Sequence, residues 1–212
     1  DDALALVQQD DTLAKYSHPT SGKNALGLAV SYDQIEIARL LLEQGADPSK
    51  VISNNLMLPI FLAKSIDMFR LLVEAGSPLR HEGSTNTSAL LKAVRNGDLE
   101  SVKYLVEQDA DVNFLGMNLE TPLDMARLRG EAEIVDFFKS KGAKGFFSDD
   151  FDPDLYRKLG SAVTFKEPSE VKALLEAGAP VHERLVYKAV RKSPEKVELL
   201  LDHGVSISQY SL

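Results

Sequence analysis

Leu40–Leu41–Leu42–Glu43–Gln44–Gly45–Ala46–Asp47 is the stretch that decides how this chain is read, because its form returns five more times. An aliphatic or aromatic run, an acidic or polar residue, and then Gly-Ala or a near relative recur in that order. The copies are Leu71–Leu72–Val73–Glu74–Ala75–Gly76, Leu105–Val106–Glu107–Gln108–Asp109–Ala110–Asp111 and the degraded Phe137–Phe138–Lys139–Ser140–Lys141–Gly142–Ala143. Leu174–Leu175–Glu176–Ala177–Gly178–Ala179 and Leu199–Leu200–Leu201–Asp202–His203–Gly204 complete the set. From Gly45 through Gly76, Asp109, Gly142, Gly178 and Gly204 the spacings are 31, 33, 33, 36 and 26 residues. Self-similarity at such a period marks a stack of small supersecondary units. Glycine at 45, 76, 142, 178 and 204 suits the left-handed residue that follows a helix, where a Cβ is costly.

Upstream of each copy the spacing predicts a second phrase. Before the fourth copy stands Thr121–Pro122–Leu123–Asp124–Met125–Ala126, and before the third Ser88–Ala89–Leu90–Leu91–Lys92–Ala93. The latter runs on into Asn96–Gly97–Asp98–Leu99–Glu100. Asn24–Ala25–Leu26–Gly27–Leu28–Ala29 precedes the first copy, Leu159 and Ala162 stand in register before the fifth, and Val186 and Ala189 before the sixth. The second copy is the poorest, with Leu58, Pro59 and Phe61 where a first helix is expected. Small Ala29, Ala93, Ala126 and Ala162 let neighbouring helices approach closely. Each unit therefore reads as two short helices and a connecting loop, and stacking must bury what one pair leaves open.

With Asp124 in place of His, the second phrase resembles the T-P-L-H-x-A signature of the ankyrin-repeat family, and the resemblance covers nearly the whole chain. It implies an all-α ankyrin-repeat solenoid of helix-turn-helix units with loop or β-turn fingers. On this reading residues 1–20 form an N-terminal cap, with Leu4, Leu6, Val7 and Leu13 on a shortened helical pair. Repeats follow at about 21–52, 53–84, 85–117, 118–152, 153–180 and 181–212, making one domain. The family's His is absent from every copy, its place being taken by Gly27, Leu91, Asp124 and Gly160 among others. That His ties the helix start to its loop in the family, so a less regular array is expected. Asp109 in place of glycine is a second departure, since a left-handed Asp costs more than a left-handed Gly.

Composition limits the partners. The chain has 212 residues, with 24 Lys and Arg against 32 Asp and Glu, a formal net charge of −8. Such a chain is repelled by phosphate backbones and anionic membranes, so neither nucleic acid nor membrane is the expected partner. No apolar run approaches the roughly 20 residues of a spanning helix. Cysteine is absent, which excludes disulfides, thiolate metal sites and a cysteine nucleophile. The start at Asp1 rather than Met is that of a processed or trimmed product, and the absence of cysteine leans slightly toward an exported, periplasmic protein over a cytoplasmic one.

The resemblance implies a partner protein held on the concave face, which the first helices and loop tips build. By register the outward positions of those helices include Tyr32, Lys64, Arg95, Arg129, Phe165 and Lys192. Four of the six are basic on an acidic chain, a stripe suited to an acidic protein surface, or simply solvated helix positions. At the tips, Phe114 and Met117 stand where the family carries polar turn residues, and read as contacts. Phe146, Phe147 and Phe151 lie among Asp149, Asp150, Asp152 and Asp154 in the longest interval. They are either exposed binding anchors or a plug between repeats four and five.

Chemistry finds little support. His18, His81, His182 and His203 lie in different units without a second ligand at helical spacing, and the aspartate run lacks the glycine and terminal Glu of an EF-hand. No nucleophile elbow, P-loop or dinucleotide fingerprint occurs. The expectation is a monomeric, non-catalytic binding module without metal or cofactor. Two more specific forms are an inhibitor or immunity protein covering the cleft of a bacterial hydrolase, and a scaffold or host-directed effector.

Overall fold

The computed structural model describes residues 5, 8–18, 22–52, 57–81, 87–116, 121–148 and 150–205. Its contacts divide the chain into two units, residues 1–126 with 131–144, and residues 127–130 with 145–212. Apart from a two-residue antiparallel pair, β1 (Arg80–His81) and β2 (Thr87–Ser88), the regular elements described are helical. The all-α class expected from the repeats therefore holds.

In the first unit, a 3-10 turn at Asp11–Ala14 precedes α1 (Ala25–Ser31) and α2 (Ile35–Glu43). A second 3-10 turn at Pro59–Leu62 leads to α3 (Ile66–Glu74), then come α4 (Ala89–Asn96), α5 (Leu99–Glu107), α6 (Pro122–Arg129) and α7 (Ala132–Ser140). The first helices α1 and α4 start at side-chain caps that sit at the first position of the second phrase. Asn24 Oδ1 accepts from Gly27 N at 2.7 Å, and Ser88 Oγ accepts from Leu91 N at 3.2 Å. Each cap is worth about 1 kcal/mol. Pro59 opens the second repeat as a helix N1 residue can, yet only one 3-10 turn forms before Ala63 turns extended. The buried Ala63 carbonyl that this leaves outside a helix is met from the next repeat, where Asn96 Nδ2 donates to it at 3.1 Å.

The missing His has structural compensation at two of its positions. Asp124 is buried, accepts from the Thr121 hydroxyl at 2.9 Å, and returns its own N–H to that oxygen at 3.1 Å. At Gly27 the missing side chain is replaced by Ile52 from the following loop, whose methyls fill the space a Cβ would need. Asp109 does adopt the left-handed conformation, at φ 61°.

Stacking is both apolar and polar. Leu26, Leu41, Ile60, Met68, Phe69, Leu72, Leu90, Leu105, Ile134 and Phe138 are fully buried in the first unit. Each such side chain contributes about 1.5–3 kcal/mol. Hydrogen bonds one repeat apart tie successive loops: Ser65 Oγ to Asp33 at 2.7 Å, Ser77 Oγ to Pro48 O at 3.3 Å, and Lys144 N to Asn113 Oδ1 at 2.7 Å.

The second unit contains α8 (Pro153–Phe165), α9 (Pro168–Glu176), α10 (Glu183–Val190) and α11 (Pro194–Asp202) around buried Leu159, Val163, Val171, Leu185, Ala189 and Leu200. The longest repeat interval is absorbed largely by α8, which at 13 residues exceeds its 8- and 9-residue neighbours. Lys196 is buried at 5% exposure, and its ammonium donates to the carbonyls of Val163 at 3.2 Å, Ala162 at 3.4 Å and Lys166. It thereby closes the C-terminal end of α8, where a cation meets the helix dipole. Of the expected cap and tail, Leu4, Leu6, Val7 and Tyr210–Leu212 lie outside the described residues, while Ala14 is buried.

Candidate interaction surface

The six first-helix positions expected to face outward are all exposed. Each sits at or just past the C-terminal end of a first helix or, for Lys64, of the 3-10 turn that replaces one. In the first unit Tyr32 is the C-cap of α1 and Arg95 lies in the last turn of α4. In the second, Arg129 and Phe165 end α6 and α8, and Lys192 stands two residues past α10. Cations are favoured at helix C-termini by about 0.3–1 kcal/mol. This local term contributes to the basic stripe whatever else the stripe does.

More apolar surface lies on these helices than the register suggested. Large hydrophobic side chains exposed among the described residues include Leu28 at 45%, Tyr32 at 71%, Phe165 at 79%, Tyr187 at 39% and Val190 at 63%. All five belong to first helices or their C-caps, whereas Leu201 at 39% is the one on a second helix. Leu28, Tyr187 and Val190 had escaped the sequence reading. Their signal was the i, i+4 relation of Leu28 to Tyr32 and the i, i+3 relation of Tyr187 to Val190.

Charge is concentrated beside these groups. In the first unit Lys92 has its ammonium pushed below the ordinary lysine value by burial, with Arg95 and Lys64 adding repulsion. In the second unit a cleft of about 600 Å³ is lined by Leu128, Gly160, Phe165, Leu185 and the cations Arg157, Arg184 and Lys188, among others. Burial depresses both Arg184 and Lys188, and the neighbouring Arg184 charge lowers Lys188 further.

The loop-tip residues divide. Phe114 needs correction: it is 6% exposed and belongs to the core of the first unit. The Asp111 turn, whose carbonyl accepts from Phe114 N at 3.2 Å, sets where the ring leaves the loop. Met117 lies outside the described residues. Phe147 and Phe151 stack at 4.2 Å, meet Tyr156 edge-on and pack against the core of the second unit, so these two are plugs rather than free anchors. Phe146 remains 53% exposed, edge-on to His182 at 4.8 Å. Among the described residues no three His, Asp or Glu side chains converge as a metal site, and no helix is long and apolar enough to cross a membrane.

Two family models match the chain. A model described as ankyrin repeats in three copies matches residues 56–149, and a single ankyrin repeat matches residues 21–53. Among similar curated proteins, the ankyrin repeat and SAM domain-containing protein 6 of Danio rerio is 28% identical over 145 residues, 66% of this chain and 20% of that protein. The B-cell lymphoma 3 protein homolog of Mus musculus is 33% identical over 127 residues, 58% of this chain and 28% of its own. The transient receptor potential cation channel subfamily A member 1 of Drosophila melanogaster is 29% identical over 208 residues, 88% of this chain and 17% of the channel. The chain thus spans less than a third of each of these relatives.

Proposed function

The chain belongs to the ankyrin-repeat family, whose repeats mediate protein–protein interaction, and we propose that it works by binding and occupying a partner protein through its first-helix surface. The observation that carries this reading is the exposure of Leu28 and Tyr32 on a first helix of one unit, and of Phe165, Tyr187 and Val190 on first helices of the other. Aromatic anchors beside cations are the composition of binding hot spots. Lys64, Lys92 and Arg95 in one unit, and Arg157, Arg184 and Lys188 in the other, bias the choice toward acidic surfaces. The role is non-catalytic on this reading. The clearly perturbed groups near these surfaces are cations held close together, rather than an acid and base arranged around a nucleophile.

Affinity capture from the source lysate tests the proposal, with the wild type beside Arg95→Glu/Arg129→Glu on first helices and Lys172→Glu on the second helix α9. A partner retained by the wild type and Lys172→Glu but lost from the double variant supports it. Equal retention by all three contradicts it. If the partner is a hydrolase whose turnover falls on mixing, the inhibitor form holds; a partner bound with its activity intact makes the chain a scaffold.

A further inference from the structure

The cleft of the second unit has a chemistry narrower than protein binding in general. Its apolar part is made by Leu128, Leu185 and the ring of Phe165, which is 79% exposed. Gly160 lines the floor of the cleft. A Cβ there would meet a Leu185 methyl at 3.7 Å and Lys188 Nζ at 3.9 Å, in ordinary van der Waals contact, so a side chain longer than alanine's would project into the space a ligand needs. Around this apolar centre stand Arg157, Arg184 and Lys188, and no carboxylate is among the lining residues. Arg157 is held in place by its bond to Leu128 O at 2.7 Å and its pairing with Asp154. Arg184 and Lys188 are one turn apart on α10, so their heads project to the same side.

We propose that this cleft seats an acidic peptide segment of the partner, in which one bulky apolar side chain enters over Gly160 between Leu128, Phe165 and Leu185 while a neighbouring carboxylate meets Lys188 and Arg184. The inference rests on the protein-binding reading and specifies the partner's chemistry at one site. Charge complementarity argues for it. An incoming carboxylate relieves the repulsion between Arg184 and Lys188 and restores what burial took from the lysine. A volume of about 600 Å³ lies in the usual range for a pocket that takes one side chain and its neighbours. Single-stranded nucleic acid would also offer a ring for Phe165 and charge for the cations. Its continuous backbone charge, however, meets a chain whose net charge is −8, while a short acidic segment ends where the cleft ends.

Fluorescence anisotropy on the full chain tests the proposal with four labelled probes. The first is a peptide of about ten residues with one Phe flanked by Asp and Glu. The second replaces the acids by Lys, the third replaces the Phe by Gly, and the fourth is an oligothymidylate of equal length. The acidic Phe peptide is expected to bind, and each other probe about tenfold or more weaker. Lys188→Glu is expected to weaken the first probe by about tenfold, and Gly160→Leu, which fills the cleft on a residue favourable to helix, by a similar factor. Circular dichroism confirms that each variant folds. Equal binding of the Lys peptide, tighter binding of oligothymidylate, or no saturation by the first probe at about 1 mM overturns the assignment. A lysate partner kept by both cleft variants sinks this cleft and leaves the broader reading standing. The broader reading itself falls if the wild type captures nothing.

Discussion

Lys196→Met removes the buried ammonium from the C-terminal end of α8 while keeping most of the side-chain volume. In the native unit that ammonium donates to the carbonyls of Ala162, Val163 and Lys166. All three lose this donor, and Ala162 O alone keeps a second one, the Lys166 amide at 3.0 Å, so two carbonyls are left to bear the loss. An acceptor left unsatisfied costs about 1–3 kcal/mol, and loss of the cation from the helix end costs up to about 2 kcal/mol more. Against this, methionine escapes the desolvation of a buried charge, which amounts to several kcal/mol. The three bonds in a favourable geometry should outweigh it, leaving a net loss of about 2–3 kcal/mol. Urea unfolding followed by circular dichroism should show the midpoint falling by about 1–1.5 M, given a slope of about 2 kcal/mol/M. An unchanged or raised midpoint would refute the reasoning and show that desolvation outweighs the three bonds.

Three further outcomes are expected. Gly27→Ala should destabilise by about 1–3 kcal/mol in thermal melts despite alanine's helix preference of about 1 kcal/mol, because its Cβ collides with Ile52; adding Ile52→Ala should recover part of the loss. Phe147→Ala should cost about 2–4 kcal/mol and exposed Phe146→Ala less than about 1 kcal/mol, a difference that urea midpoints resolve. Lys188 carries a lysine value depressed by burial and by Arg184, so its charged form opposes folding below that depressed value. Stability should rise as pH climbs from the depressed value toward the unfolded one, and Lys188→Met should abolish the increment when urea midpoints are compared across alkaline pH. Affinity for an acidic ligand should fall over the same interval, as the ammonium deprotonates.

The helix pairs were legible because each unit repeats the same physical requirements. A capping side chain at Asn24, Ser88 or Thr121, an alanine five residues on and a left-handed residue after the leucine run all serve one geometry. The weak second copy was legible as an anomaly through Pro59, though not its shortening to a single 3-10 turn or the bond that Asn96 of the next repeat gives Ala63 O. Compensation at Gly27 was hidden for the same reason: Ile52 lies in a loop, and no helical period brings it there. Phe114 was misread because an aromatic residue among turn residues looks exposed, whereas the local Asp111 turn carries it into the core. Leu28 was passed over because it stands in a helix whose other leucine, Leu26, is buried, whereas Leu28 stays 45% exposed. Lys188 and Arg184 show i, i+4 spacing in the sequence, but the cleft they border depends on Gly160 and Phe165 from another helix.

Photo-crosslinking tests most directly the claim that a partner protein sits on the first helices. Benzoylphenylalanine would replace Tyr32 or Phe165 there, and Glu36 or Lys172 on the second helices α2 and α9, all four being exposed positions. Irradiation in the source lysate should give one shared protein adduct from the Tyr32 and Phe165 positions and none from the other two. Adducts from Glu36 and Lys172 alone, or none from any position, would contradict the account.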